Sequence, residues 1–112
     1  MAGIPLNTFK TTTANVTTTL TSIYTAPTGV ATVVLLAQVS NSDPANTFYA
    51  TASFSRNNSQ TLIVANTPIP INDASTLLPG KLILQAGDSF LIKGSSNNYG
   101  QLIFSYLETA NE

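Results

Sequence analysis

VATVVLLAQVS, residues 30–40, is the longest uncharged and strongly β-prone run in the chain. Val33, Leu35, Ala37 and Val39 alternate with Val34, Leu36, Gln38 and Ser40 at the two-residue period of a strand. The first set is expected to face a core. The second set begins apolar and turns polar, which suits a central strand covered on both faces at one end and wet on one face at the other.

Downstream of this run, Asn41-Ser42-Asp43-Pro44-Ala45-Asn46 has the composition of a loop. Phe48, Ala50, Ala52 and Phe54 then alternate with Tyr49, Thr51, Ser53 and Ser55, the cleanest amphipathic strand in the chain. Arg56-Asn57-Asn58-Ser59 closes it. Residues 60–65 return as a strand with Leu62 and Val64 on one face and Ile63 on the other. Thr67-Pro68-Ile69-Pro70-Ile71 is extended, and its prolines confine it to a sheet edge or a crossover. Residues 73–78 read as a short turn or brief strand, because Pro79-Gly80 stops any helix within two turns. KLILQ (81–85), Ala86-Gly87-Asp88 and SFLIK (89–93) read as a hairpin. After the loop at 94–98, the last strand spans 99–107, with Leu102, Phe104 and Tyr106 on one side.

Upstream, residues 8–24 are Thr-rich and β-prone, two strands expected to break near Ala14-Asn15, with Val16, Leu20 and Tyr24 as apolar markers. Ala26-Pro27-Thr28-Gly29 supplies a turn. Residues 1–7 read as an N-terminal arm, whose Ile4, Pro5 and Leu6, with Phe9 just after, need an apolar surface to cover. About eight short strands without a credible long helix predict an all-β fold, an antiparallel β-sandwich of Greek-key or jelly-roll type, with residues 8–112 as its single domain.

Only 8% of the 112 residues are charged, against about a quarter in an ordinary soluble domain. Seventeen threonines, 11 serines and 11 asparagines take their place, so the surface is wet without carrying a field. Lys10, Arg56, Lys81 and Lys93 are scattered in sequence among Asp43, Asp73, Asp88, Glu108 and Glu112. No basic cluster is present to displace counterions from a phosphate backbone, so no nucleic-acid partner is expected. No membrane span or signal peptide is legible, and the chain is expected to act without export.

Catalysis is not expected. The chain has no histidine and no cysteine, which removes the usual bases, thiolate chemistry and thiolate metal sites. No cofactor or metal ligand set stands out. Asn41, Asp43 and Asn46 carry oxygens suited to calcium, yet one carboxylate is thin for that ion, and a turn in which aspartate bonds its own backbone is the favoured reading. Among the tyrosines, Tyr49 and Tyr99 fall on the wet side or beside a loop. Such rings stack on sugars or seal a subunit contact, and the subunit contact is favoured. The candidate interface residues are therefore Ile4, Pro5, Leu6, Phe9, Tyr49 and Tyr99.

Ile23-Tyr24-Thr25-Ala26-Pro27-x-Gly29-Val30, running into Thr32-Val33-Val34-Leu35-Leu36 and Val39-Ser40-Asn41, with Leu82-x-Leu84 before Ala86-Gly87-Asp88, resembles small virion structural proteins of tailed bacteriophages. The likeness spans residues 17–107. It implies a small β-sandwich that associates with copies of itself, a trimer being favoured over a dimer, and with the major capsid protein or other virion proteins. It implies a place on the phage particle, on the capsid or in the neck or tail, with assembly in the host cytoplasm; capsid decoration (cement) is the favoured function. The alternative is a neck, tail or fibre-associated module, structural or glycan-binding.

Overall fold

The computed structural model describes residues 7–78 and 80–110. Nine strands form among them: β1 (Asn7–Val16), β2 (Thr21–Thr25), β3 (Val30–Asn41), β4 (Phe48–Arg56), β5 (Ser59–Ile69), β6 (Ala74–Thr76), β7 (Leu82–Leu84), β8 (Ser89–Gly94) and β9 (Gly100–Ala110). All pairings are antiparallel. One sheet has the order β1-β9-β3-β6, with β7 also on β3, and the other has the order β2-β8-β4-β5. This is a β-sandwich with jelly-roll order, in which the sixth of eight strands is divided into β6 and β7. Asn7, assigned above to the arm, already pairs with Thr109.

Turn chemistry sets the strand ends. Gly29 takes φ 79° and lets Val30 N–H reach the Pro27 carbonyl at 3.2 Å, closing the turn before β3. Asn57 and Asn58 both adopt positive φ, the requirement of a tight two-residue hairpin, and join β4 to β5. The break after β1 falls at residues 17–20, later than Ala14-Asn15. Those two residues stay in the ladder opposite Leu102 and Gln101. Thr17 leaves it, its carbonyl accepting from Gly94 N–H and its hydroxyl from Thr19 N–H.

The facing of β3 differs from the simple alternation. Thr32 and Val34 point inward, Leu35 is an extra residue between the Tyr106 and Ser105 pairings, and inward facing resumes at Ala37, Val39 and Asn41. A β-bulge at Leu35 therefore shifts the phase by one. Ala37 and Val39 face the core as expected, whereas Val33 is half-buried and Leu35 is 40% exposed. Bulges in β5 similarly separate Leu62, which is exposed, from Val64, which packs on the core together with Ile63.

Residues 81–93 are not a hairpin. β7 pairs with β3 in one sheet and β8 with β2 and β4 in the other, so the Ala86-Gly87-Asp88 turn carries the chain across the sandwich. Its backbone is fixed by Ala26, whose N–H donates to the Asp88 carbonyl and whose carbonyl accepts from Gly87 N–H, both at 2.9 Å. The Pro68 segment does lie on an edge strand, β5, before the chain crosses to β6.

The core is filled by Phe48, Phe90 and Phe104 with Ile69, Leu77, Leu84, Ile92 and Leu102, all essentially inaccessible. The inward sets of β4 and β9 are those given by alternation, with Phe54 half-buried at the end of its row. Phe90 and Phe104 meet across the sheets at a ring separation of 4.9 Å, so the two layers interlock through aromatic contact.

Candidate interaction surface

Three regions could carry function: a polar cluster at one mouth of the sandwich, the loop end holding Tyr49 and Tyr99, and the outer face of the β1-β9-β3 sheet. At the mouth, Tyr24 Oη lies 2.8 Å from Thr32 Oγ1 and donates to Glu108 Oε2 at 2.5 Å, while Lys10 Nζ reaches Glu108 Oε1 at 2.8 Å. The hydrogen bonds from Lys10 and Tyr24 hold the Glu108 carboxyl below its ordinary range. Burial, followed by the bond to Glu108, pushes the Tyr24 phenol above its own. The hydrogen bond to Glu108 likewise raises Lys10. These groups satisfy one another, forming a brace between β1, β2 and β9. Glu108 shares the inward phase of Leu102, Phe104 and Tyr106, and that position was the signal in the sequence for an acidic residue needing a partner.

A second polar brace stands where β7 crosses to β8. Arg56 Nη2 donates to Asp88 Oδ2 at 2.6 Å and Arg56 Nε to Oδ1 at 3.0 Å, while Gln85 N–H donates to Oδ2 at 2.8 Å. The bond from Arg56 holds Asp88 below its ordinary range, against the opposing effect of burial. The charges scattered in sequence thus meet across strands, which spacing alone could not reveal.

Asp43 behaves as the turn reading expects. Its Oδ1 accepts from Ala45 and Asn46 N–H, and its Oδ2 from the Asn46 amide. Asn41 donates to the Asn46, Ile69 and Pro70 carbonyls, and its own carbonyl accepts from Asp43 N–H. The side-chain oxygens of Asn41 and Asp43 are committed to the loop's own donors. Among the described residues no three His, Cys, Asp or Glu side chains converge.

Tyr49 and Tyr99 come to the same end of the sandwich, 44% and 39% exposed. Two seams hold that end together. Ser95 N–H donates to the Tyr49 carbonyl at 2.9 Å and Tyr49 N–H to Ser95 Oγ at 3.0 Å, while Ser42 N–H donates to the Tyr99 carbonyl at 2.9 Å. Between them, the Phe48 ring lies against Gly94 of one sheet and Gly100 of the other. Phe9 lies elsewhere. It pairs with Leu107, seven residues along β9 from Gly100, or roughly 23 Å at about 3.3 Å per residue. Ile4, Pro5 and Leu6 fall outside the described residues.

The outer face of the β1-β9-β3 sheet is a feature that alternation obscured. Phe9, Leu107, Val33 and Ile83 form one cross-strand row over four strands, Phe9 being 73% and Ile83 52% exposed. Leu35 and Leu36 lie beside that row. Toward the Gly100 end the face sinks into an open depression of about 440 Å³ lined by Thr13, Asn15, Ser40, Gln101 and Ile103 among others. On the outer phase of β1, β9 and β3 no described residue is charged, since Lys10 and Glu108 both belong to the opposite phase; the exposed Lys81, two residues before Ile83, stands at the border. Along its border, β1 presents a ten-residue edge that pairs with β9 without a register shift and contains no proline.

No protein-family model and no curated protein matches the chain. Among solved structures, the chain is similar to a subunit of the structure described as "Bacillus endospore appendages form a novel family of disulfide-linked pili". The TM-score is 0.55 at 8% sequence identity, over 96% of this chain and 88% of that one. The likeness is one of fold, a β-sandwich.

Proposed function

We propose that this chain is a structural subunit of a tailed-bacteriophage virion, a capsid decoration (cement) protein bound in many copies between major capsid subunits. The single observation that carries the assembly part is the uncharged outer face of the β1-β9-β3 sheet, bordered by β1, whose far edge no other described strand pairs. A ten-residue edge strand with Lys10 as its one charge and an exposed apolar row are features that assembling β proteins use. The jelly-roll order supports the virion part by fold-level analogy, because that architecture recurs in viral capsid and lectin domains. The sequence resemblance to phage virion proteins supports it independently.

A decoration protein of this kind holds a shell by multiplying weak contacts over many equivalent sites. With so few ions on its surface it binds by shape and hydrogen bonds, so its occupancy changes little between low and physiological salt. Mass spectrometry of purified particles tests the reading. A decoration protein is present in on the order of hundreds of copies, a neck or tail component in on the order of ten. Absence from particles overturns the virion reading.

A second reading is favoured by the structural neighbour: a subunit of an extended filament. That neighbour's pili are disulfide-linked, and this chain has no cysteine, so a filament built from it would be held by non-covalent contacts. Electron microscopy of the purified chain separates a filament from a shell-bound subunit.

A further inference from the structure

We infer that the outer face of the β1-β9-β3 sheet docks a second copy of this chain, through a two-fold axis lying along the row Thr11–Ser105–Leu36. This deepens the assembly reading by naming the partner and the surface. The face is self-complementary about that row. Phe9 and Leu107 lie two residues to one side of Thr11 and Ser105, and Thr13 and Ile103 lie two residues to the other. Rotation about the row sets Phe9 of one copy over Thr13 of its partner, at the rim of the depression, and Leu107 over Ile103. The projecting apolar end of each copy thus meets the recessed end of the other, twice, as an isologous contact requires.

The area fits. Three strands about 4.8 Å apart and about ten residues long at about 3.3 Å each, with the three-residue β6 and β7 beside them, span roughly 570 Å² of flat sheet. Side-chain relief raises this toward the roughly 800 Å² per partner of a standard specific interface. The chemistry fits a second copy as well. A charged partner surface would lose its hydration against a face offering it no counter-charge. The same face on another copy brings only hydroxyl, amide and apolar groups. Two twisted sheets stacked in this way lie about 10 Å apart with strand directions within about 30°, the geometry already present inside the sandwich.

Three measurements on the full chain test it. Sedimentation from about 1 μM to about 1 mM, the range of weak to moderate association, should give the mass of two chains at the upper end. The double variant Phe9→Lys/Ile103→Lys alters two exposed residues, should keep the β-sheet circular dichroism, and should sediment as one chain. Ser105→Cys places the chain's sole thiol on the axis and should give a covalent dimer on mild oxidation, whereas Tyr49→Cys, far from the axis, should not. If the double variant loses its fold, the cysteine pair decides alone. A wild-type monomer throughout, a three-chain mass, an oligomer indifferent to the two lysines, or failure of Ser105→Cys to cross-link each overturns the inference. None of these bears on particle content, so the virion reading stands or falls separately.

Discussion

The ring of Phe48 fills the space that a Cβ on Gly100 would need. It does the same at Gly94, so one side chain locks the end of β8 to the start of β9 and excludes any side chain from both positions. Phe48 is 1% exposed and has nowhere to retreat. Gly100→Ala and Gly94→Ala should each cost about 1–3 kcal/mol by overpacking, despite the general preference of strands for alanine over glycine. Chemical denaturation measures this. Repeating Gly100→Ala in a Phe48→Leu background should recover part of the loss, as a double-mutant cycle. Additive costs would show that the ring and the glycine do not interact.

Leu35→Ala should change stability by less than about 0.5 kcal/mol, because the bulge turns Leu35 outward. Leu84→Ala, at a fully buried position, should cost about 2–5 kcal/mol, and the half-buried Phe54→Ala should fall between the two. Denaturation midpoints of the three variants give the order directly.

Stability should be flat through neutral pH and fall on acidification. Asp88 and Glu108 are both held below their ordinary values of 3.8 and 4.5, so the folded state releases their protons more readily than the unfolded chain. Their contribution is fully present above those ordinary values and is lost as pH drops through the folded ones. Glu108→Gln should lower the neutral-pH plateau and remove the Glu108 share of the acid limb, leaving the shallower fall due to Asp88, measured by urea midpoints from about pH 7 to about pH 2.

At the alkaline end Tyr24 acts in the opposite sense. Burial raises it above its ordinary 10.0, so its contribution is whole below that value and is lost as pH climbs through the folded one. Tyr24→Phe should remove this alkaline dependence. It should also cost about 1–2 kcal/mol at neutral pH, by leaving Glu108 and Thr32 without the phenol. Absorbance at the phenolate band against pH, with a parallel denaturation series, checks both statements.

The inward sets of β4 and β9 were legible from alternation, but the polar side of β4 was not, since Thr51 and Ser53 are buried as well. The two-sheet, all-β architecture followed from period and punctuation. The phase of β3 was not legible, because Val34, Leu35 and Leu36 are interchangeable in hydropathy and only the partner β9 reveals which one is the extra residue. The Ala86-Gly87-Asp88 turn has the composition of a hairpin turn, and what makes it a crossing is its bonding to Ala26, some sixty positions earlier. Of the surface residues, the exposure of Phe9, Tyr49 and Tyr99 could be foreseen, but the cross-strand row joining Phe9 to Ile83 could not. That row exists only through the register of four strands far apart in the chain.

The place of β9 has a consequence for how the chain reaches this structure. It follows every other described strand in chain order, yet it lies between β1 and β3 and, among the described residues, is what joins them in the sheet. Until it emerges from the ribosome, one sheet consists of a detached N-terminal strand and a β3 with a bare flank, apolar on both faces at its Val33–Leu36 section. Closing so long a loop comes late and slowly in β proteins, and strands waiting with open edges are prone to pair with the wrong chain. Low charge, which suits the finished surface to assembly, leaves the nascent chain with little electrostatic repulsion to keep it from its neighbours on the same messenger. Synthesis rate and chaperone occupancy, rather than final stability, should therefore set the yield of folded protein.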